Sequence, residues 1–230
     1  MPDYIDNIAD QLSTGNKMLV NEKNFIEPLL NKNYKNKASY IDVHILSLNN
    51  NGLAGDAIIK YDYKFFKNNS SSISMSLSNK LSKTNLTPLH ELIHIYQNGY
   101  TKIKNRWVTE GIARLLEELM RNKTTKSIRL PSNTYELNVM LLQKYKNASY
   151  FKRFDEICKK DNFIKVFLKE LSLQDEKIEK KFNYKKMNWL EKDQKSPKNN
   201  PFIFKALQNT MTKTCPSNNK EILDFYKLID

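Results

Sequence analysis

Two histidines four residues apart, with a glutamate directly after the first, define the chemistry open to this chain: His90-Glu91-Leu92-Ile93-His94. On an α-helix, residues i and i+4 lie nearly one above the other, so His90 and His94 can aim both imidazoles at one point. Such a pair makes half of a metal site. Glu91 projects about 100° round the helix from His90. From there it can reach a water at the site but is poorly placed to ligate the metal, which is the position of a general base. A catalytic Zn2+ centre needs a third protein ligand and leaves the fourth position open. Glu110, separated from His94 by fifteen residues, is the first candidate for the third ligand, with Glu117 or Glu118 as the alternatives.

The elements that must position these groups can be read on either side. Thr87 suits an N-cap, Pro88 the first helical position and Asn98-Gly99 a C-terminal stop, which predicts a helix of about three turns. Leu89, Leu92, Ile93 and Tyr96 give that helix an apolar face for packing. A basic loop (Lys102, Lys104, Arg106) follows. A second amphipathic helix then starts near Asn105 or Trp107, with Glu110 in about its first turn. Gly111 weakens a helix by about 0.5–1 kcal/mol relative to Ala. Its presence is accounted for if the two helices approach closely.

The residues His90-Glu91-x-x-His94, with Gln97 and Gly99, followed by Trp107-Val108-Thr109-Glu110-Gly111-Ile112-Ala113, resemble the zinc metallopeptidases called gluzincins. The style is closest to the peptidase MA-like and plant basic-secretory-protein groups, which pair HExxHxxQ with a downstream E-G-[IL]-A. The resemblance implies Zn2+ held by His90, His94 and Glu110, with Glu91 as catalytic base, acting on a protein or peptide substrate. It is confined to this stretch of the chain. The metzincin extension would need Gly at 97 and His at 100, where this sequence has Gln97 and Tyr100. Many gluzincins carry an acidic residue four after the ligand Glu to orient a ligand His; here that position is Arg114. The orienting group is then expected from Glu117, Glu118 or a backbone carbonyl.

With 230 residues and 40% hydrophobic content, the chain can build one large domain or two small ones. No run of about 18 apolar residues occurs, so no transmembrane segment is expected. No signal peptide is visible at the N-terminus, which leaves localisation open between the cytoplasm and export by processing or another route. The net charge of +13 arises from 38 Lys+Arg against 25 Asp+Glu, nearly all of the cations Lys and spread from Lys17 to Lys227. That dispersion makes nucleic acid an unlikely partner and fits a compositional bias towards Lys, Asn, Ile and Tyr. Cys158 and Cys215 have no metal-binding spacing and can be either bonded or free. His44, in an alternating stretch, reads as an ordinary strand residue.

Helical periodicity marks 3–14 and 19–31. Strand candidates follow at 40–48, 56–66 and 72–78, with turns at Asn49 to Gly52 and Asn68 to Ser71. After Met120 the pattern turns helical, at 133–146, 149–159, 161–173, 201–212 and 219–229. The charged stretch 174–200 between them reads as helix and loop, or as partly disordered. The expected fold class is α+β and zincin-like, a single catalytic domain whose 1–99 upper lobe holds a small sheet and the HExxH helix and whose 100–230 lower lobe is helical. By resemblance, the sheet's edge strand pairs with an extended substrate, and the expected edge is 72–78.

The reading is therefore a zinc-dependent metallopeptidase. A tyrosine of the helical region, Tyr135, Tyr145 or Tyr150, is expected to stabilise the oxyanion. The alternative is a basic, Lys-rich protein that binds nucleic acid or an anionic surface and whose metal site is structural or vestigial. The sequence leaves substrate preference and oligomeric state open.

Overall fold

Tyr40–Leu46, Gly52–Ala54, Ile59–Tyr61 and Ser70–Ser78 form the strands β1 to β4 in the computed structural model, which describes residues 2–61, 70–121, 123, 125–158, 162–184 and 189–230. The chain divides into two compact units, Met1–Tyr100 and Thr101–Asp230. The fold is α+β, with a small mixed sheet in the first unit and mainly helices in the second.

In the first unit β4 is the central strand. It pairs parallel with β1 along its length, Tyr40 opposite Ser72 through Leu46 opposite Ser78. On its other side β2 pairs antiparallel with Leu77 to Met75, and β3 with Ser72 to Ser70. This corrects the expectation that 72–78 is an edge: the serine alternation that suggested a solvent-facing groove belongs to a strand paired on both sides. Ile73, Met75 and Leu77, on one face of β4, are buried, as period-2 alternation requires. The expected strand at 56–66 is realised at Ile59–Tyr61, and its remainder lies outside the described residues. Gly52, read as a turn residue, instead opens β2.

Helix α1 (Pro2–Lys17) packs on α2 (Thr87–Tyr100). At Gly15 the approach is close enough that a Cβ would lie 2.6 Å from Leu89 Cδ1. Tyr4 donates to the Ser78 carbonyl at 2.5 Å, tying α1 to the end of β4. The helix expected at 19–31 does not form. One π-turn, Met18–Glu22, extends α1, and a 3-10 turn follows at Pro28–Leu30. Asn24 lies between them in the left-handed region, at φ 53°, and Glu27 is extended before Pro28 (ψ 141°). Both conformations interrupt a right-handed helix.

The second unit holds α3 (Arg106–Met120), α4 (Thr134–Leu142), α5 (Ala148–Ile157) and α6 (Phe163–Phe182). It continues with α7 (Glu191–Gln194), α8 (Asn200–Thr214) and α9 (Lys220–Leu228). Its core is aromatic: Phe154 stacks on Phe163 with ring centroids 4.6 Å apart, and Phe225 meets Phe154 edge-on at 5.6 Å. Helix α6 absorbs part of the charged stretch beyond 173, because Gln174, Asp175 and Ile178 are buried on it. It ends at Asn183, whose left-handed φ of 53° closes the last turn. Cys158, after α5, and Cys215, after α8, are joined by a disulfide. Gly111 serves a close approach, but within this unit: a Cβ there would lie 2.8 Å from Asn147 Cβ and 3.0 Å from Phe151 Cε2. Among the described residues no helix is long and apolar enough to cross a membrane.

Candidate metal centre

Helix α2 begins where Asn85 Oδ1 accepts the Thr87 N–H at 2.8 Å and the Thr87 hydroxyl at 2.7 Å. Thr87 is thus the first helical residue and Asn85 supplies the oxygen expected of it. The helix runs one residue past Gly99, to Tyr100. Eleven of its fourteen residues are buried, and the three that are not are Thr87, His90 and His94. A helix enclosed on nearly every side that keeps only its two i,i+4 histidines and its first residue accessible presents the pair as a fixed feature.

The two imidazoles converge through Nε2, 3.1 Å apart, with their rings nearly perpendicular (88°). Two nitrogens bound to one tetrahedral zinc at about 2.0–2.1 Å would be separated by about 3.3 Å, so this spacing suits a shared ion. His94 Nδ1 donates to Gln97 Oε1 at 2.7 Å. That bond fixes the Nδ1–H tautomer, leaves the Nε2 lone pair for a metal and locks the ring plane. The orienting partner of His94 is therefore Gln97, one turn along the same helix, where Glu117 or Glu118 was the expectation. Both of those carboxylates are drawn into ion pairs on α3: Glu117 with Arg114 and Arg121, Glu118 with Arg114 at 2.6 Å.

Glu91 is buried beside the histidines, and Gly52 of β2 makes room for it. A Cβ at Gly52 would lie 2.6 Å from Thr87 Cγ2, 2.8 Å from Glu91 Cγ and 3.1 Å from its Oε1. Only glycine lets β2 pass this close to the carboxylate.

Glu110 lies in the second turn of α3, half-buried, with Arg106 Nε 3.7 Å from its Oε1. The N-terminus of α3 is held by polar groups far away in sequence. Buried Asp175 of α6 accepts from Thr101 Oγ1 at 2.7 Å and from the Lys102 N–H at 3.2 Å. Asn200 Oδ1 accepts from Asn105 Nδ2 and Trp107 Nε1, and Asn147 Nδ2 donates to the Trp107 carbonyl. None of these partners was legible as part of the site.

His90, His94 and Glu110 each offer one ligand atom, and these atoms lie within 4.8 Å of one another. Two imidazole nitrogens and a carboxylate oxygen are a donor set that can coordinate a divalent ion and are consistent with metal-activated hydrolysis. Among the other sequence candidates, Tyr135 is exposed on α4 and Tyr150 is buried in α5, where burial and then the charge of Glu136 raise its pKa. Tyr145 lines a surface concavity with Arg114 of α3. His44 stands on β1 opposite Ser76.

The chain matches no family model, no curated protein and no solved structure. Its likeness to known enzymes rests on the cluster itself, which has the geometry of a gluzincin-type HExxH…E active site.

Proposed function

We propose that the chain is a zinc-dependent metallopeptidase, with residues 1–230 acting as one zincin-like catalytic domain. The observation that carries this reading is the convergence of His90, His94 and Glu110 beside a buried Glu91 on a helix that exposes little else. His90 Nε2, His94 Nε2 and a Glu110 oxygen would hold the ion. When bound, zinc supplies a Lewis acid that polarises the scissile carbonyl and acidifies water. Glu91 takes the proton of the attacking water and passes it to the amine as the C–N bond breaks. Gln97 keeps His94 in its ligand tautomer throughout.

An extended peptide finds a binding edge on β2. Ser78 N–H donates to the Asn51 carbonyl and Gly55 N–H to the Ser74 carbonyl, so the residues paired through hydrogen bonds are 51, 53 and 55. Gly52 and Ala54 then turn their N–H and C=O away from β4, and Gly52 is the residue packed on Glu91. Strand addition there would lay the substrate backbone past the base. The disulfide between Cys158 and Cys215 favours an oxidising compartment for the enzyme.

The test is metal content by plasma mass spectrometry together with hydrolysis of a peptide library. One zinc per chain, strongly reduced in Glu110→Ala, is expected, and Glu91→Gln should keep zinc while losing hydrolysis. A wild type that takes up no zinc on reconstitution, or a Glu91→Gln variant that still cleaves, would sink the assignment.

A further inference from the structure

The position one turn beyond Glu110 is where this chain departs from the pattern it resembles, and the structure gives that departure a setting. Arg114 opens onto a concavity of ≈ 510 Å³ lined also by Glu118, Thr125, Lys126, Tyr145, Lys146, Ala148 and Ser149. Three cations and one carboxylate line it, so the lining itself carries an excess of positive charge. The one acid is already committed: Glu118 binds Arg114 Nε through Oε1 at 2.6 Å and accepts the Thr125 hydroxyl through Oε2. Arg114 Nη1 reaches Glu117 at 3.3 Å, so its guanidinium is held on two sides and its orientation is fixed. Among the described residues neither Lys126 nor Lys146 makes an ion pair. Hydroxyls of Tyr145 and Ser149 complete a wall rich in donors.

The concavity opens one turn along α3 from Glu110. Glu110, Arg114 and Glu118 follow one another at i, i+4 and i+8 on α3, so Arg114 lies about 6 Å along the helix axis from Glu110. An extended peptide advances about 3.3 Å per residue. For a peptide running along α3, a residue about two positions from the scissile bond would come level with Arg114.

We propose that this concavity is a specificity subsite for a substrate carboxylate, either an acidic side chain about two residues from the cleaved bond or a free C-terminus at that distance. The proposal rests on the metallopeptidase reading above. Its recognition chemistry is a fixed guanidinium assisted by two ammonium groups that make no ion pair among the described residues, a donor arrangement suited to a carboxylate. Arg114 is the orienting cation; Lys126 and Lys146 set the sign of the field.

The experiment separates binding from cleavage. Fluorescently labelled peptides bearing Glu or its isostere Gln at each position, with free or amidated C-termini, are titrated into zinc-reconstituted Glu91→Gln protein and followed by anisotropy. The same peptides are given to the wild type and to Lys126→Glu/Lys146→Glu, whose altered side chains are exposed. A preference of about tenfold for one carboxylate peptide over its amide is expected, weakening as salt rises. Loss or inversion of that preference in the double variant supports the subsite. If Glu outperforms Gln, the occupant is a side chain; if the free terminus outperforms the amide, it is the C-terminal carboxylate. No discrimination in binding, or discrimination that survives the double variant, overturns the proposal even if the wild type cleaves. Discrimination without any cleavage keeps the carboxylate site and overturns the peptidase reading instead.

Discussion

The helix that carries the two histidines and the helix that carries Glu110 are fixed by different physics. Helix α2 is enclosed by apolar packing, with Leu89, Ile93, Ile95 and Tyr96 fully buried and a few hydrogen bonds at its margins, such as Tyr96 to Asn16 and the Ile26 N–H to Tyr100. The start of α3 is held by buried carboxylate and amide groups, Asp175, Asn200 and Asn147, and its unit is additionally tied by the only disulfide. Apolar packing is non-directional and tolerates substitutions that conserve volume. A buried polar network has few substitutes, because each lost partner strands another group. The two halves of the donor set should therefore fail under different insults.

The largest separation is expected from the disulfide. Closing a sequence separation of 57 residues stabilises by about 4 kcal/mol in the chain-entropy account. Cys158→Ala/Cys215→Ala, or reduction, should lower protection in the Thr101–Asp230 unit and leave Met1–Tyr100 nearly unchanged by hydrogen exchange. Equal loss in both units would erase the distinction. Next comes Asp175→Ala, which strands the Thr101 hydroxyl and the Lys102 N–H at a cost of about 2–3 kcal/mol. Because that network anchors the start of α3, zinc affinity should fall with stability, whereas Leu92→Met on α2 should cost less than about 1.5 kcal/mol. Denaturant titration of both variants with parallel metal-competition measurements decides the point.

Substitutions at two positions of the first unit sharpen the comparison at the level of single contacts. Gln97→Leu removes the acceptor that orients His94, and zinc affinity should drop about 10- to 100-fold, measured against a chromophoric chelator. Gln97→Glu, which keeps an acceptor, should bind zinc at least as well as the leucine variant by a wide margin. Gly52→Ala places a methyl group against Thr87 and Glu91. It should reduce turnover by about tenfold or more through displacement of the base, with metal content retained. Loss of metal instead would mean that β2 supports the histidines as well as Glu91.

How much of this was legible in the sequence follows the same division. The histidine pair is written in local i,i+4 spacing, which helix periodicity brings together, and Glu110 on the next helix is marked by the HExxH…E-G resemblance. Gln97 stands three residues from His94 on the same face, a signal present in the motif, but its orienting role is visible only in the bond it makes. What could not be read depends on long-range pairing. The central place of β4 is set by β1 and β2, and Gly52 looks like a turn residue until its neighbour Glu91 is known. Asp175 sits in a charged stretch that reads as helix and loop or as partly disordered, because burial of a carboxylate is visible only with its partners, more than seventy residues away. Arg114 departs from the gluzincin pattern in the sequence itself, and only the structure shows the concavity it lines.

The smallest effect tests whether polar fixation in the second unit carries an acid sensitivity. Arg153 Nη2 binds Glu221 Oε2 at 2.6 Å, and the Leu130 N–H donates to Glu221 Oε1 at 2.7 Å, joining α5, α9 and the segment before α4. Burial pushes the Glu221 carboxyl upward, but the hydrogen bonds from Arg153 and Leu130 and the guanidinium charges together pull it further down, leaving it below the usual carboxylate range. A depressed folded-state pKa stabilises the native state above the unfolded-state value, and that contribution is lost as pH falls through the folded-state value. Near water such a bridge is worth about 1 kcal/mol at most. Thermal unfolding of the wild type should therefore weaken more steeply than that of Glu221→Gln as pH drops from neutrality through the carboxylate range, with the two curves converging at the acid end. Parallel curves across that range would show that the Arg153–Glu221 pair adds geometry without charge-dependent stability.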